Sequence, residues 1–169
     1  MKQLIRKLCI RLYRKLKNWE KLDTYEQFRK KYQLHTSFRF NGDGIRFYGN
    51  GDLIAGEKSY IGSLSTIQIS KDYFVKIGRN CRISHNVRIY TCSTIPDQDF
   101  SNLNSLKRMG NVVIEDNVWI GANVFINPGI TIGENSVVGA NSVVTKDIPP
   151  FSIYGGVPAK LIRKKQLDA

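Results

Sequence analysis

The sequence predicts a mainly β fold: a parallel solenoid of six-residue units that follows an α-helical segment. Three observations support this. Aliphatic residues recur every six positions from residue 114 to residue 144, the same period occurs between residues 55 and 89, and the first 31 residues have a different, strongly basic composition. A period of six suits neither a long helix nor an ordinary β-meander, but it does suit stacked coils of short strands and turns.

The composition limits the classes of protein to consider. The chain has 169 residues, with 41% hydrophobic and 24% charged residues, which is typical of one globular domain. It has no apolar run of about 18 residues, so we expect no transmembrane helix. The three cysteines form no Cys-x-x-Cys pair, which argues against a disulfide framework or zinc ribbon and favours the cytoplasm. Two histidines exclude a three-histidine metal site, and we expect no metal.

The N-terminal segment, residues 1–40, is predicted to be a basic amphipathic helix over residues 2–34. Residues 1–31 carry eleven Lys or Arg against three acidic residues, out of a net charge of +12 for the chain. Apolar residues recur three or four positions apart and so form one stripe on the predicted helix: Leu4, Ile5, Leu8, Cys9, Leu12, Leu16 and Trp19. Two interpretations stay open. Residues 2–19 contact an anionic membrane surface, or the stripe packs on protein. No nucleic-acid module is recognisable, so we expect no nucleic-acid partner.

The repeat extends over residues 41–155, and five coils between about residues 45 and 150 are enough to bury a core. Three hexads make one triangular coil, and in each hexad two side chains two positions apart point inward. Gly after an inward aliphatic residue, as at Gly121, Gly133 and Gly139, suits a corner where a Cβ would crowd. Cys81 falls on an inward position and is predicted to be buried. The inward aliphatic residues are Ile77, Ile83, Ile89, Ile114, Ile120, Ile126, Ile132, Val138 and Val144.

The hexad register breaks once. Residues 93–111 are rich in Ser, Asn and Asp and lack the pattern, and they are predicted to form a loop that leaves one corner of the solenoid. Loops on rigid scaffolds often carry function, although an inert insertion is the alternative. Beyond the repeat, residues 156–169 are predicted to be a basic tail.

Residues 111–164, which include GGVPAKLIRK, resemble the hexapeptide-repeat acyltransferases, and in particular the maltose, galactoside, nodulation-factor and capsule-locus O-acetyltransferases. The resemblance covers about residues 45–165. It implies a left-handed parallel β-helix, acetyl-CoA as the donor, and a homotrimer with active sites between subunits. The left hand is an exception to the right-handed crossover rule.

Acetyl transfer to a hydroxyl needs a base. In the maltose and galactoside enzymes the base is a histidine, but the matching position here is Thr94, whose hydroxyl is too weakly basic. The stretch around His85 instead resembles the lipid A pathway acyltransferases and the bacillosamine-type N-acetyltransferases, which implies His85 as the general base, since an imidazole accepts protons at neutral pH. A purely structural corner histidine is the alternative.

Other side chains have candidate roles around this base. Asp97 and Asp99 in the loop, together with Asn86, are candidates to orient His85 or to bind the acceptor, and solvated loop acids are the alternative. Cys92 is a weak candidate for a covalent nucleophile, because no basic motif adjoins it.

For CoA, the resemblance implies contacts at Ala122 and Ala140, with the Ala122 amide facing the thioester oxygen. Small residues allow the pantetheine arm to approach the backbone, and cations suit its phosphates. The remaining implied contacts are Thr145, Lys146, Lys160 and Arg163, and Trp119 either lines the pantetheine arm or packs between subunits. The alternative for the basic tail is that it is ordinary exposed surface and does not bind CoA.

Three functions follow, and the sequence keeps all three open. The first is O-acetylation of a sugar by direct transfer from acetyl-CoA, within polysaccharide, capsule or lipopolysaccharide assembly in the cytoplasm or at the inner face of the membrane. The second is N-acetylation of a nucleotide-linked amino sugar. The third is a non-catalytic trimeric scaffold, which would fail to bind CoA.

Overall fold

The computed structural model describes residues 2–101 and 105–166. Residue 1, residues 102–104 of the predicted loop and residues 167–169 of the predicted tail lie outside this range. The chain divides into two compact units, Met1–Tyr32 and Gln33–Ala169.

The first unit is a single helix, α1, Lys2–Lys31. The helix ends three residues before the predicted boundary. Its last turn carries Arg29, Lys30 and Lys31, whose positive charges interact favourably with the negative end of the helix dipole. Within residues 2–19 the apolar stripe is exposed, with Leu4 at 73% and Trp19 at 62%. In the described parts of the chain, no helix is long and apolar enough to cross a membrane.

The second unit is a parallel β-solenoid of about five coils, as predicted. Each coil gives one strand to each of three sheets, which we call faces A, B and C, in that order along the chain. The first three coils are β1 Gln33–Leu34, β2 Arg39–Asn41 and β3 Arg46–Gly49; β4 Asp52–Ala55, β5 Tyr60–Gly62 and β6 Thr66–Ile69; and β7 Phe74–Ile77, β8 Arg82–Ile83 and β9 Arg88–Tyr90.

The fourth and fifth coils follow an inserted hairpin. The hairpin strands are β10 Cys92–Thr94 and β11 Lys107–Met109. The later coils contain β12 Val112–Ile114, β13 Trp119–Ile120 and β14 Phe125–Ile126, and then β15 Thr131–Ile132, β16 Val137–Val138 and β17 Val143–Val144. Strand β18, Ser152–Gly155, extends face B, and β19, Lys160–Lys164, returns antiparallel to it.

Two boundaries differ from the sequence expectations. The first coil starts at Gln33 rather than near residue 45, because β1 and β2 pair with β4 and β5 although their sequence lacks clear hexads. The predicted basic tail contains a strand, since Arg163 pairs with Ile153 and Lys160 with Gly155. Strand β19 is therefore the last strand of face B, and its Lys and Arg side chains make that edge of the sheet basic.

The core is the stack of inward side chains that the hexads predict. Every inward aliphatic residue in the sequence analysis is at most 1% exposed, and Cys81 is fully buried. The second inward position of each hexad holds smaller residues, such as Val118, Ser136 and Ser142, also fully buried. Buried serines bond to main-chain groups of the next coil, as Ser59 Oγ does to the Gly78 carbonyl at 2.7 Å. Their polar groups are thus satisfied.

Asparagines turn the corners of the coils. Asn86, Asn123 and Asn141 have φ of 55°, 59° and 58° and lie above one another at the corner between faces B and C. Their side-chain amides form a ladder, with Asn86 donating to Asn123 and Asn123 to Asn141, both at 2.9 Å. Asparagine tolerates this left-handed conformation better than most residues. Gly121, two positions before Asn123, allows a close approach of the next coil, since a Cβ there would lie 2.5 Å from the Ala140 nitrogen.

The insertion leaves the corner between faces C and A. Its base is the ribbon in which Cys92 pairs with Met109 and Thr94 with Lys107. Gln98 closes this ribbon, because its side-chain amide donates to the Leu106 carbonyl at 3.0 Å and accepts from the Leu106 amide at 2.6 Å. The predicted loop is therefore a hairpin at its base.

Candidate functional site

The corner between faces B and C brings three of the predicted site residues into one row. Ile83, Ile120 and Val138 pair in register, so His85, Ala122 and Ala140 occupy equivalent positions two residues later on coils three, four and five. The Asn123 amide donates to the His85 carbonyl, and the Asn141 amide donates to the Ala122 carbonyl, at 3.0 and 2.8 Å. We call this row, together with Ser63 on coil two, the B–C edge. Adjacent coils lie about 4.8 Å apart.

His85 is exposed, and its ring leans toward coil two. The main-chain amide of Ser63 donates to His85 Nδ1 at 3.1 Å. Neutral imidazole has one acceptor nitrogen, so this bond fixes the proton on Nε2. Gly62 makes room for the ring, since a Cβ there would lie 2.8 Å from Nδ1.

Alanine at the next two positions leaves main-chain amides open along the B–C edge. The Ser63 amide is taken up by the side chain one coil further on, that of His85. On coil four, the side chain of Ala122 cannot accept a hydrogen bond from the main-chain amide of His85. On coil five, the side chain of Ala140 likewise cannot accept one from the main-chain amide of Ala122. Within the described residues, these two amides have no hydrogen-bond acceptor. The edge therefore offers N–H donors to a ligand beside an exposed imidazole.

Asn86 lies next to His85 but has a structural role. Its side-chain nitrogen donates to Asn123, and its side-chain oxygen accepts from the Arg88 guanidinium at 3.1 Å. Both polar atoms of the amide are thus engaged within the corner.

The other predicted CoA residues lie around the C-terminal coils. Thr145 and the exposed Lys146 follow β17 at the corner between faces C and A. Lys160 and Arg163 lie on β19, and both are exposed. The structure therefore places the candidate phosphate-binding cations on the C-terminal side of Ala122 and Ala140, but in two separate places, the C–A corner and the edge of face B.

Within one chain, the structure does not bring the loop acids to His85. The hairpin leaves the C–A corner, whereas His85 occupies the B–C edge at the other end of face C. Asp99 Oδ1 instead accepts from the Ser101 amide at 2.9 Å, and this bond holds the pKa of Asp99 below its usual range.

Face B carries a basic groove of about 860 Å³. Five cations line it, and among the described residues no carboxylate does. Two aromatic side chains, Tyr60 and Trp119, also line it, and Trp119 is 51% exposed. The five cations are Arg39, Lys58, Arg82, Arg163 and Lys165.

The two cysteines of the solenoid differ in environment. Burial raises the pKa of the Cys81 thiol to about 11, which suits an inert core residue. Cys92 is half-buried at the base of the hairpin, where its main-chain amide donates to Gln68. In the described part of the chain, no group of three His, Cys, Asp or Glu residues is arranged to hold a metal ion.

Sequence reasoning missed Ser63, whose amide binds the candidate base, and the groove residues Arg39, Tyr60 and Arg82. A signal for the groove was present. Arg39, Tyr60, Arg82 and Trp119 all stand one position before an inward or core-facing residue of a face B strand.

Residues 111–146 match the family model described as bacterial transferase hexapeptide (six repeats). No curated protein matches the chain.

The similar solved structures include three acetyltransferases. A maltose O-acetyltransferase from Clostridium difficile is 31% identical over 96% of this chain and 87% of its own, with a TM-score of 0.63. A galactoside acetyltransferase in complex with coenzyme A is 34% identical over 76% of this chain and 66% of its own, with a TM-score of 0.62. A hexapeptide-repeat acetyltransferase from Vibrio cholerae, in complex with acetyl coenzyme A, is 29% identical over 86% and 78%, with a TM-score of 0.58.

Proposed function

Because the chain belongs to the hexapeptide-repeat acetyltransferase family, we propose that it transfers an acetyl group from acetyl-CoA to a hydroxyl of a sugar or glycoconjugate. The observation that carries this proposal is the B–C edge, where an exposed histidine and open main-chain amides lie on successive coils. The similar maltose and galactoside enzymes support a sugar as the acceptor. The protein is an enzyme of glycan assembly in this proposal.

The donor lies along the C-terminal coils. The pantetheine arm passes Ala122 and Ala140, where the absence of larger side chains lets it reach the main chain. Lys146 and Thr145 at the next corner, and Lys160 and Arg163 on β19, contact the phosphates of CoA. Cations that are exposed and free to move suit a flexible, highly charged nucleotide.

The reaction is a direct transfer. The acceptor oxygen attacks the thioester carbonyl as His85 takes the hydroxyl proton, and the Ala122 amide donates to the developing oxyanion. Collapse of the tetrahedral intermediate forms the ester and releases CoA as a thiolate, which takes up the proton from His85. His85 acts in this way only after its ring releases the Ser63 amide, since that bond occupies the one lone pair of the resting imidazole.

The active enzyme is a homotrimer in this proposal. In one chain the hairpin and the B–C edge lie at opposite ends of face C, so the hairpin can approach a B–C edge only on a neighbouring subunit. Asp97, Asp99 and Thr94 then belong to a site completed between subunits. Light scattering should give three times the mass of the chain at micromolar concentration, and a stable monomer with full activity would contradict the trimer.

The helix α1 places the enzyme on an anionic membrane surface. Residues 2–19 carry seven Lys or Arg and no acid, beside an exposed apolar stripe that ends with Trp19. A second copy of this helix would meet the same positive charge, whereas anionic lipids attract each such cation by about 1 kcal/mol. Co-sedimentation should show binding to phosphatidylglycerol vesicles that Leu12→Glu abolishes and the matched variant Lys76→Glu retains. Equal binding to phosphatidylcholine vesicles would contradict it.

The experiment that tests the activity is an acceptor screen with acetyl-CoA and neutral, acidic and amino sugars. O-acetylation yields a product that mild base cleaves, whereas an N-acetyl product resists it. Calorimetry with CoA tests the donor site separately. Absence of CoA binding by the folded protein would sink the enzymatic proposal and favour a scaffold.

A further inference from the structure

We propose that the N-terminal half of the face B groove binds an acidic glycan chain as the acceptor. This inference rests on the proposed function and names its substrate class. It starts from the outward row of face B, in which Arg39, Tyr60, Arg82 and Trp119 pair in register on coils one to four. Cations and aromatic rings alternate along this row at the spacing of adjacent strands, about 4.8 Å.

The chemistry of the row suits a charged sugar polymer. Guanidinium groups bind carboxylate and sulfate oxygens in pairs, and Arg is preferred over Lys for such contacts. Trp119 is half exposed and offers a flat apolar face to the C–H face of a sugar ring, whereas the Arg39 guanidinium lies over the Tyr60 ring, 5.7 Å from its centre. Lys58 lies beside the row, and among the described residues no carboxylate lines the groove to compete for these cations. A neutral glycan would leave three cations without counter-charges.

The position of the row along the solenoid separates the acceptor from the donor. The proposed CoA contacts Ala122, Ala140 and Lys146 lie on coils four and five and beyond, whereas Arg39, Tyr60 and Arg82 lie on coils one to three. His85 follows Arg82 on coil three, and its ring leans toward Ser63 on coil two. The imidazole therefore lies between the proposed acceptor row and the proposed CoA contacts, and it faces the coils that carry the row. Trp119, which the family resemblance assigned to CoA, marks the boundary.

The charge of the groove is local. Residues 33–169 carry 15 Lys or Arg and 11 acidic residues, yet five of those cations line one groove with no acid among its described residues. General attraction of polyanions to a basic protein would involve the other faces equally. Lys76, outward on face A, provides the matched control because it is exposed and lies outside the groove.

The test is calorimetry on the full-length protein with saturating CoA present. The probes are short oligogalacturonates, heparin-derived oligosaccharides and maltooligosaccharides of matched length. At least one acidic probe should bind roughly 10- to 100-fold more tightly than the neutral one, and Arg39→Gln and Arg82→Gln should each remove about tenfold of that affinity. Lys76→Gln should change nothing, and the affinity for CoA should be equal in all three variants.

Several results would overturn the proposal: equal affinity for neutral and acidic glycans, no binding of any acidic probe, an equal loss in Lys76→Gln, displacement of the glycan by CoA, or tighter binding of single-stranded oligodeoxythymidine. Far-UV circular dichroism checks that each variant is folded. Because CoA binding is measured in the same protein, a chain that binds CoA but no acidic glycan refutes this inference alone. A chain that binds acidic glycans but not CoA refutes the proposed acetyl transfer.

Discussion

The main-chain amide of Ser63 donates a 3.1 Å hydrogen bond to Nδ1 of His85. This bond joins coil two to coil three through a side chain at the B–C edge. It also assigns the tautomer of the one histidine on the B–C edge, with its proton on Nε2. The resting imidazole is therefore oriented, but it needs to turn before it accepts a proton.

Replacing His85 by Ala tests the base. We expect kcat to fall by about 10²- to 10⁴-fold, the usual worth of a positioned base, with little change in the KM for acetyl-CoA. Thr94→Ala, at the position that holds the base in the maltose branch, should cost far less. Steady-state kinetics with an accepted sugar give both numbers. Near-normal turnover by a folded His85→Ala trimer would remove His85 as the base and direct attention to Asp97 and Asp99.

Enlarging Ala140 tests the path of the pantetheine arm. Ala140 is exposed on the B–C edge, so Ala140→Leu should leave the solenoid folded while its side chain covers the open amide of Ala122. The KM for acetyl-CoA should rise at least about tenfold, the effect of roughly 1.4 kcal/mol of lost binding. Glu134→Leu, exposed at another corner of the same coil, is the control. An unchanged KM in Ala140→Leu would place the donor elsewhere.

Charge reversal at Lys146 or Arg163 tests the phosphate contacts. Each side chain is exposed, so Lys146→Glu and Arg163→Glu should fold normally. We expect CoA affinity to fall by roughly tenfold or more in each, because a charge-assisted hydrogen bond is lost and a repulsion is gained. Calorimetry with CoA measures this, and dephospho-CoA reports which phosphate is involved. Unchanged affinity in both variants would show that these cations do not contact the donor.

The hexads predicted the solenoid because each face of its three-sided coil takes six residues and buries an aliphatic side chain at the same position. Ile83, Ile120 and Val138 are buried as expected, and the equivalent positions of His85, Ala122 and Ala140 follow from their register. The first coil was harder to predict, since Arg39–Asn41 pairs through main-chain atoms that leave little trace in the side-chain pattern.

The site was harder to predict than the fold. The bond from Ser63 to His85 joins residues 22 positions apart, and its donor is a main-chain amide, so the residue type at position 63 does not predict it. The row of Arg39, Tyr60, Arg82 and Trp119 crosses four coils at unequal spacing because the hairpin intervenes. The corner asparagines were predictable, since Asn80, Asn86, Asn117, Asn123, Asn135 and Asn141 follow the hexad spacing in pairs.

Asn123 tests the corner ladder. Its φ is 59°, and its amide bonds to the asparagines on both neighbouring coils. Asn123→Ala should lower the free energy of unfolding by about 1–3 kcal/mol, because alanine is strained at this φ and two hydrogen bonds are lost. Asn123→Gly should recover the part that comes from the backbone, since glycine adopts positive φ freely. Chemical denaturation measures both, and equal losses in the two variants would assign the whole effect to the ladder.

The ion pair between Arg79 and Asp116 gives a pH-dependent prediction for the solenoid. The Arg79 amide donates to Asp116 Oδ1 at 2.8 Å, and its guanidinium donates to Oδ2 at 2.7 and 2.9 Å. These bonds from Arg79, the main-chain one first, hold the pKa of Asp116 below its usual range. A lowered pKa means that the folded state favours the carboxylate. The stabilisation is therefore complete above the usual pKa of about 3.9 and disappears as the pH falls through the lower folded value.

Asp116→Asn should therefore reduce the free energy of unfolding by about 1 kcal/mol at pH 7, a small value because the guanidinium side of the pair is largely exposed. The difference from the unmodified protein should shrink as the pH falls below about 3.9, because protonation removes the same charge. Urea denaturation at pH 7, pH 4 and pH 3 measures it. Glu57→Gln, which removes a nearby carboxylate outside this bonded pair, is the control, and a deficit in Asp116→Asn that stays constant with pH would show that the charge of Asp116 contributes nothing to the stability of the coils.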